Sequence, residues 1–382
     1  MTLWELFKYY LYVGSTTFGG PLAIMNTIRV DLVEKRGWLK KEEFEHYFGY
    51  AQIAPGPMAF QVGVYNGFFK FGIPGAALCG FALVLPSYIL VLVFSIFYQK
   101  YQDLSYIQNA LYGVSPVIIA IILHSGIKLS KNVLKQDYFL YVIFFASIAL
   151  TIFFKVPILY LIMSSALTAL IYYSIVNNKS SKLKFLPLLL TTPFAFFSQV
   201  TESVNNKLID LALVFLKTGS LTYGSGFVII GVLQQEVVNN YHWLTESEFL
   251  AGISFGNITP GPVVITSTFI GYITAGIPGS LVATLCIFLP TFCFVVILAH
   301  GIARFKDNFY LKAFIKGANA AAIGAILSTA YMLSRSSIID IPTIVLFLAA
   351  ILILFKMKAN TLLLIVIAAV CGILIKMYLI SY

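Results

Sequence analysis

Long apolar runs separated by short polar loops extend along the whole chain. Uncharged runs of spanning length recur, for example at 71–98, 341–355 and 359–375. About 20 consecutive apolar residues are needed for a helix to cross a bilayer, and only helices or closed barrels satisfy their backbone polar groups in lipid. The pattern therefore predicts an all-α polytopic membrane protein.

The composition supports this prediction. Of the 382 residues, 59% are hydrophobic and 10% are charged, whereas soluble domains carry about 25% charged residues. The net charge of +10 would also suit a nucleic-acid partner, but the cations lie in short loops between apolar runs, as the positive-inside rule describes. We therefore expect membrane lipid, and no nucleic acid, as a partner. The four cysteines lie in apolar runs without metal-ligand spacing, so no metal and no cofactor is predicted.

The chain contains an internal repeat. When it is shifted by 205 residues, positions 12–57 meet a second segment with which 14 of 46 positions are identical. Six of the identities fall on glycine, proline and tryptophan, and they include Pro-Gly-Pro motifs at 55–57 and 260–262. After a one-residue gap, the Gly-Ile-Pro-Gly motif at 72–75 recurs at 276–279. Such self-similarity indicates a duplicated structural unit.

Each repeat predicts the same order of elements. A first span, at 6–28 and again at 208–233, is interrupted by a glycine-rich break, and a polar loop ending in Trp-Leu follows. Then come the Pro-Gly-Pro segment, a span of about 27 residues and three further spans. We expect an N-terminal transporter repeat at 1–176, a cytoplasmic linker at 177–207 and a C-terminal repeat at 208–382.

The cations predict the orientation of the two repeats. The polar loop of the first repeat carries five lysines and arginines, and the matching loop at 234–248 carries none. By the positive-inside rule the first loop is cytoplasmic and the second is external, so the repeats have inverted topology and each crosses the membrane an odd number of times. About five spans per repeat satisfy this if the Pro-Gly-Pro segment is a re-entrant helical hairpin and the apolar stretch at 185–200 does not cross.

Pro-Gly-Pro cannot lie inside a straight helix, because each proline lacks an N–H donor and clashes with the preceding turn. Half-helices at 44–54 and 58–69 would point a helix N-terminus, with free N–H groups and a positive dipole end, at the middle of the membrane, where it favours an anion. Broken helices in inverted repeats are typical of the central site of a secondary transporter. The alternative is that glycine and proline only allow tight helix crossing and kinks.

The residues at these breaks form the predicted binding site for a small anion. They offer neutral hydrogen-bond donors without a titratable cluster, so no catalytic residue is predicted and we do not expect an enzyme. The candidate substrate-binding residues at the breaks are Thr17, Gly19, Gly20, Gln52, Pro55, Gly56, Pro57, Gln61, Thr222, Gly224, Ser225, Asn257, Pro260, Gly261 and Pro262.

Two cations are further substrate-binding candidates. Arg29 ends the first span, where its guanidinium either binds an oxyanion or anchors the helix at the interface. Lys217 lies in the first span of the second repeat, and an intramembrane cation either has a function or extends its long side chain to the membrane edge. The acids Asp31 and Glu236, which match in the repeat, could carry protons, but proton coupling is not visible in the sequence.

The motifs, in their order along the chain, resemble those of the chromate ion transporter family. The resembling segments are Phe18-Gly19-Gly20-Pro21, Trp38-Leu39, the stretch from Gln52 through Pro-Gly-Pro to Gln61, Gly72 with Gly75, and Leu85-Pro86. The resemblance implies a long, two-domain protein of the bacterial plasma membrane that exports chromate and so confers chromate resistance, with sulfate or a similar oxyanion as an alternative substrate. Met58, where relatives often have a polar or acidic residue, and Ser225, where the second half often has glycine, depart from the family pattern.

We therefore expect a secondary transporter for a dianionic oxyanion, working by alternating access around the two hairpins. Export of an anion runs with the membrane potential, worth about 2.3 kcal/mol per charge per 100 mV, and the sequence has no Walker motif for ATP. A channel-like anion pathway built from the same helix ends and a transporter of another small anion stay open as alternatives. A homo-oligomer is compatible with the sequence but is not indicated by it.

Overall fold

The computed structural model describes residues 1–18, 20–52, 54–177, 206–222, 226–299, 308–357 and 360–380. Over these ranges every regular element is a helix and no strand occurs. The helices of the first repeat are α1 (Leu3–Thr16), α2 (Gly20–Ile28), α3 (Lys41–Ala51), α4 (Met58–Tyr101), α5 (Ser105–Leu134), α6 (Tyr138–Phe154) and α7 (Ile158–Val176). Those of the second repeat are α8 (Lys207–Ser220), α9 (Val228–Leu233), α10 (Glu246–Ile258), α11 (Thr266–Leu298), α12 (Phe309–Ser337), α13 (Ile341–Lys356) and α14 (Thr361–Ile380).

Short stretches of other helix types extend this pattern. A π-helical stretch continues α2 over Arg29–Lys35, and another continues α9 over Gln234–Asn240. A 3₁₀ turn, Val263–Ile265, precedes α11. Because both π-helical stretches occupy the same place in the repeat, the duplication is visible in the backbone as well as in the sequence.

Many of these helices suit a membrane. Six helical segments in the described ranges are long and apolar enough to cross a bilayer, and α6 and α13 are shorter apolar helices. Polar caps mark several helix starts: Thr245, Asn308 and Asp340 accept first-turn N–H groups of α10, α12 and α13, each worth about 1 kcal/mol. The chain is a multi-pass membrane protein whose loops begin where the apolar pattern ends.

At each Pro-Gly-Pro motif the chain turns back on itself. The first part of α4 runs antiparallel beside α3: the rings of Tyr47 and Phe69 stack with centroids 5.2 Å apart, and Lys70 pairs with Glu43 at 3.6 Å. The first part of α11 packs against α10 in the same way. The break between two half-helices therefore lies where the prolines predict it, in both repeats.

A second reversal, which the hydrophobic pattern does not predict, follows in each repeat. Helical backbone is interrupted at Gly72 (φ 66°) in α4 and at its counterpart Gly276 (φ 64°) in α11. The two parts of α4 on either side then pack so closely that a β-carbon on Gly67 would overlap the carbonyl of Gly75. The sequence signal for this turn is the Gly-Ile-Pro-Gly repeat, in which glycine supplies the positive φ and proline begins the next helix.

The first span that the sequence predicts in each repeat is folded back at its glycine-rich break. Helices α1 and α2 form a V, because Trp38, which follows α2, packs edge-on against Tyr9 of α1 with centroids 6.2 Å apart. In one straight helix these residues would be about 40 Å apart, at 1.5 Å per residue. Helices α8 and α9 fold back likewise, with Lys217 paired to Glu236 at 2.7 Å. Each repeat therefore folds into two broken hairpins followed by four further helical segments, whereas the sequence predicts five spans and one hairpin. An apolar run alone does not distinguish these arrangements.

The part of α4 after Gly72 runs the length of the bundle and defines its two ends. It starts beside the ion pair of Lys70 and Glu43, which we call the near end. Its other end, at Gln102, lines the same cavity as Thr245, where α10 begins; we call this the far end. The Pro-Gly-Pro hairpins of the two repeats therefore start from opposite ends of the bundle.

The first repeat ends and the second repeat begins at opposite ends of the bundle. Helix α5 starts at the far end, just after α4, and runs to the near end, where Tyr173 of α7 donates a hydrogen bond to Asp137 in the loop after α5. Helix α8 starts at the far end, where Lys207 lines a cavity together with Trp243. Residues 178–205, which include the apolar stretch at 185–200, lie outside the described residues.

The two repeats interlock instead of standing side by side. Helix α12 of the second repeat packs against α6 and α7 of the first, and α5 of the first packs against α13 and α14 of the second. The approach is close, because Gly317 of α12 lies against the backbone of Ser165 in α7, and Gly113 of α5 lies against Ala368 in α14. Helices α4 and α11 pack on each other, so the two repeats share one core.

Candidate functional site

The four chain breaks of the two repeats meet inside the bundle. Gly56, in the first Pro-Gly-Pro turn, donates its N–H to the carbonyl of Thr222, at the break after α8. Gly261, in the second turn, donates its N–H to the carbonyl of Thr17, at the break after α1, at 3.1 Å. Each Pro-Gly-Pro turn is thereby bonded to the first hairpin of the other repeat. We call this place the crossing.

Two hydroxyl residues that the sequence analysis does not single out complete the crossing. Ser87, halfway along the traversing part of α4, donates its hydroxyl to the carbonyl of Pro260. Its repeat counterpart, Thr291 of α11, lies against Gly56, and its Oγ1 is buried without a partner among the described residues. The signal for both is Leu-Pro followed by a hydroxyl residue in each repeat. Thr291 therefore offers a hydroxyl donor at the crossing.

Glycine is required at the centre of each turn. A β-carbon on Gly56 would overlap the side chain of Thr291, and one on Gly261 would overlap Ser87. Both glycines also have positive φ, 121° and 103°, which residues with side chains adopt only with strain. The two repeats can approach this closely only because both positions lack a side chain.

Gln61 shapes the first Pro-Gly-Pro turn from within the protein. It is fully buried, and its Nε2 donates to the carbonyls of Ala54 at 3.0 Å and of Gly56 at 2.9 Å. Its Oε1 has no partner among the described residues. Because both amide donors are used by the turn, Gln61 holds the backbone in place and does not present a free donor to a ligand.

Some of the other predicted residues lie in the turns at the crossing, and others lie in the helices that lead to it. The prolines buried at the two turns are Pro55, Pro57, Pro260 and Pro262. Asn257 donates its Nδ2 to the carbonyl of Ile253 within α10 at 2.8 Å, and Gln52 is exposed at the end of α3. Gly20 is the first residue of α2. Three candidates lie outside the described residues: Gly19, Gly224 and Ser225.

The two candidate cations have different surroundings. Arg29 is exposed at the start of its π-helical stretch and pairs with Glu34 at 3.2 Å. Lys217 lies three residues before the end of α8, and its side chain, 13% exposed, pairs with Glu236 at 2.7 Å. Of the two, Lys217 is closer along the chain to the crossing and is the buried one.

The crossing offers hydrogen-bond donors with little fixed charge. Helices α2, α4 and α9 and the 3₁₀ turn begin there, and the first N–H groups of a helix have no partner within it and carry the positive end of its dipole. The carbonyls of Thr17 and Thr222 are occupied by the crossed hydrogen bonds. In the described part of the chain no group of three or more His, Cys, Asp or Glu side chains could hold a metal ion. The arrangement suits a small anion.

Comparison with known proteins connects this arrangement to a family. A family model described as Chromate transporter matches residues 4–170 and 209–373. The chain belongs to the chromate transporter family. The chromate transporter model covers two stretches, one in each half of the chain, as the internal repeat requires.

Relatives within the chromate transporter family match along almost their whole length. The Chromate transport protein of Cupriavidus metallidurans is 35% identical over 94% of this chain and 89% of its own. The Probable chromate transport protein of Synechococcus elongatus is 35% identical over 98% of this chain and 95% of its own. The Chromate transport protein of Pseudomonas aeruginosa is 27% identical over 96% and 91%. No solved structure matches the chain. The chromate transporter family is a family of transporters by name, not of enzymes.

Proposed function

We propose that the protein is a secondary transporter of chromate, or of a similar dianionic oxyanion such as sulfate, and that the anion binds at the crossing. The observation that carries this proposal is the pair of crossed hydrogen bonds, from Gly56 to Thr222 and from Gly261 to Thr17. They bring the broken backbone of both repeats to one buried place. Broken backbone at membrane depth lines a protein-enclosed site or a water-filled cavity, and in secondary transporters it forms the substrate site.

The chemistry of the crossing matches that of an oxyanion. Chromate and sulfate are tetrahedral dianions whose oxygens only accept hydrogen bonds. The donors on offer are the N–H groups at the helix starts and the hydroxyl of Thr291, which has no partner among the described residues. Since the relatives with similar sequences are named chromate transport proteins, chromate is the first substrate to test and sulfate the second.

The proposal includes opposite orientations of the two repeats in the membrane, with re-entrant hairpins. What supports it is that the Pro-Gly-Pro hairpins start from opposite ends of the bundle and that the cations are unevenly shared. The described cations in or beside near-end loops are Arg29, Lys35, Arg36, Lys40, Lys41, Lys128, Lys131, Lys135, Lys312 and Lys356. Those at the far end are Lys100, Lys155, Lys207, Arg335 and Lys376. By the positive-inside rule the near end is cytoplasmic.

This topology changes the role proposed for the linker. Helix α7 ends at the near end and α8 starts at the far end, so residues 178–205 connect the cytoplasmic side to the external side. That proposal replaces the cytoplasmic linker expected from the charge pattern. Four crossings in the first repeat, an even number, would return the chain to its starting side and give both repeats the same orientation. A linker that joins the two sides inverts the second repeat.

The direction of transport follows from the charge of the substrate. Moving a dianion out of the cell with the membrane potential releases about 4.6 kcal/mol per 100 mV, twice the value for one charge, so export needs no ATP. In the alternating access that we propose, the broken hairpins and the traversing parts of α4 and α11 rearrange around the anion. Helices α5–α7 and α12–α14, which interlock across the repeats, form the frame.

Transport by purified protein in vesicles of defined orientation tests the proposal. With the membrane potential clamped, labelled chromate should move with a saturable and potential-dependent rate, and sulfate should compete. Vesicles with a Gly56→Leu variant provide the matched control. A current that does not saturate would favour the channel-like pathway, and well-folded protein that moves neither anion would contradict the proposed substrates.

A further inference from the structure

One ion pair lies mostly inside the protein, in the second repeat. Lys217 Nζ in α8 lies 2.7 Å from Glu236 Oε1 in the π-helical stretch after α9, and Asn240 donates to the other carboxylate oxygen at 3.1 Å. The two side chains are 13% and 11% exposed, whereas every other ion pair among the described residues has a partner at least 36% exposed. Burying two charges is unfavourable even when they are paired, so fold stability alone does not explain this pair.

No such pair occurs in the part of the first repeat that the structure describes. The residues that match Lys217 and Glu236 are Tyr12 and Asp31. Tyr12 is exposed, and Asp31 pairs instead with Lys35, one turn away in its own helix, at 2.9 Å. The first hairpin of a repeat therefore forms without a buried ion pair, and the pair in the second repeat is an addition to the shared backbone.

Lys217 lies next to the crossing. It is five residues before Thr222, whose carbonyl accepts the hydrogen bond from Gly56, and five helical residues rise only about 7.5 Å. A lysine side chain can place its ammonium several bonds away from its own backbone. Lys217 therefore lies in the last turn of α8, which leads into the crossing.

We infer that Glu236 is an internal counter-ion that the transported oxyanion displaces from Lys217. This inference rests on the proposed function and adds to it a residue that sets affinity. Without an anion, Glu236 neutralises Lys217, and Asn240 holds the carboxylate in place. When an oxyanion reaches the crossing, the ammonium turns to it, and Glu236 reclaims the ammonium as the anion leaves. The exchange breaks no covalent bond and moves no proton.

Transport kinetics in vesicles test the exchange. Glu236→Gln should lower the KM for chromate about tenfold, because Lys217 then has no carboxylate partner and is available to the anion in most molecules instead of in a minority. It should also lower the maximal rate, because release of the anion slows. Lys217→Gln should raise the KM about tenfold or more, as expected for the loss of a charged hydrogen bond. The matched control Asp31→Asn, at the pair of the first repeat whose lysine is 69% exposed, should change the KM by less than about twofold.

A double variant serves as the control for effects on folding. Each single change leaves a buried group without its partner, whereas Lys217→Gln with Glu236→Gln can keep a neutral hydrogen-bonded pair. On the inference, the double variant folds and has the raised KM of Lys217→Gln. A wild-type KM in the double variant, or a KM in Glu236→Gln that is not below that of the wild type, would overturn it.

A binding measurement separates this inference from the proposed function. Chromate or sulfate should raise the thermal stability of the detergent-solubilised protein, by more in Glu236→Gln and by less in Lys217→Gln than in the wild type. If the wild type bound the anions in this pattern but transported neither, the transport proposal would fail and the ion exchange would stand. Equal stabilisation of all three proteins would overturn the ion exchange while transport by the wild type still stood.

Discussion

The two repeats share a backbone but differ in what lines it. Both have Pro-Gly-Pro and Gly-Ile-Pro-Gly at the same places, and both make the same crossed hydrogen bond, from Gly56 in one and Gly261 in the other. The interiors of their hairpins differ. Buried tyrosine and asparagine of the first repeat stand where the second has phenylalanine and isoleucine: Tyr10, Tyr65 and Asn66 match Phe215, Phe269 and Ile270.

The difference separates what the fold requires from what the pathway uses. Turn geometry tolerates only glycine at the crossing, so those positions remain alike. Side chains away from the crossing are free to diverge, and polar groups are buried between the two hairpins of the first repeat: Asn66 Nδ2 donates to Tyr10 at 3.0 Å, and the hydroxyl of Tyr65 has no partner among the described residues. The matching positions of the second repeat are apolar, but its first hairpin contains the ion pair of Lys217 and Glu236. We therefore expect matched changes at the glycines of the two repeats to have equal effects. Matched changes of the side chains inside the hairpins should have different effects.

The largest expected effect comes from filling the crossing. Gly56→Leu and Gly261→Leu should each abolish transport, because a side chain there overlaps Thr291 or Ser87. Overpacking typically costs about 1–3 kcal/mol, and the positive φ adds about 1–3 kcal/mol of backbone strain. The measurement is chromate flux in vesicles at matched protein amounts.

Gly37 provides the control for these variants. It also has positive φ, 60°, but a β-carbon there would meet nothing within 4 Å, so Gly37→Asn should transport normally, since asparagine tolerates this conformation. A Gly261→Leu variant that transported normally while Gly56→Leu did not would break the symmetry of the crossing and confine the site to the first repeat.

Cysteine labelling tests whether the symmetric backbone is inverted in the membrane. In a background without the four native cysteines, Glu42→Cys and Asn177→Cys should react with an impermeant reagent only from the cytoplasmic side. Ser247→Cys and Asn206→Cys should react only from outside, because these residues lie at the far end of the bundle; all four positions are exposed. Reaction of Asn177→Cys and Asn206→Cys from one side would reject the proposed role of residues 178–205, and reaction of Glu42→Cys and Ser247→Cys from one side would reject inversion.

The sequence predicted the breaks and the repeat well, because the limits that glycine and proline set on the backbone are local. It did not predict which helix ends meet. The apolar run at 6–28 suits a crossing helix and a V equally, and only the contact between Tyr9 and Trp38 decides. For the same reason Ser87 and Thr291 were not found, since their role depends on backbone from the other repeat. The assignments of Gly19, Gly224 and Ser225 to the site stay predictions.

The smallest expected effect is on stability, and it distinguishes two buried tyrosines of the first repeat, Tyr10 and Tyr65. Tyr10→Phe should lower the free energy of unfolding by about 1–3 kcal/mol, because it leaves the buried amide of Asn66 without its partner. Tyr65→Phe removes a buried hydroxyl that has no partner among the described residues, so stability should stay unchanged or rise by up to about 1 kcal/mol. The midpoint of thermal unfolding in detergent measures both, and Phe269→Tyr, the reverse change at the matching position of the second repeat, should lower it. If Tyr65→Phe instead destabilised the protein as much as Tyr10→Phe, the Tyr65 hydroxyl would be bonded to water or to an anion. The surroundings of Tyr65 would then be a hydrated part of the pathway, unlike those of Phe269 in the second repeat.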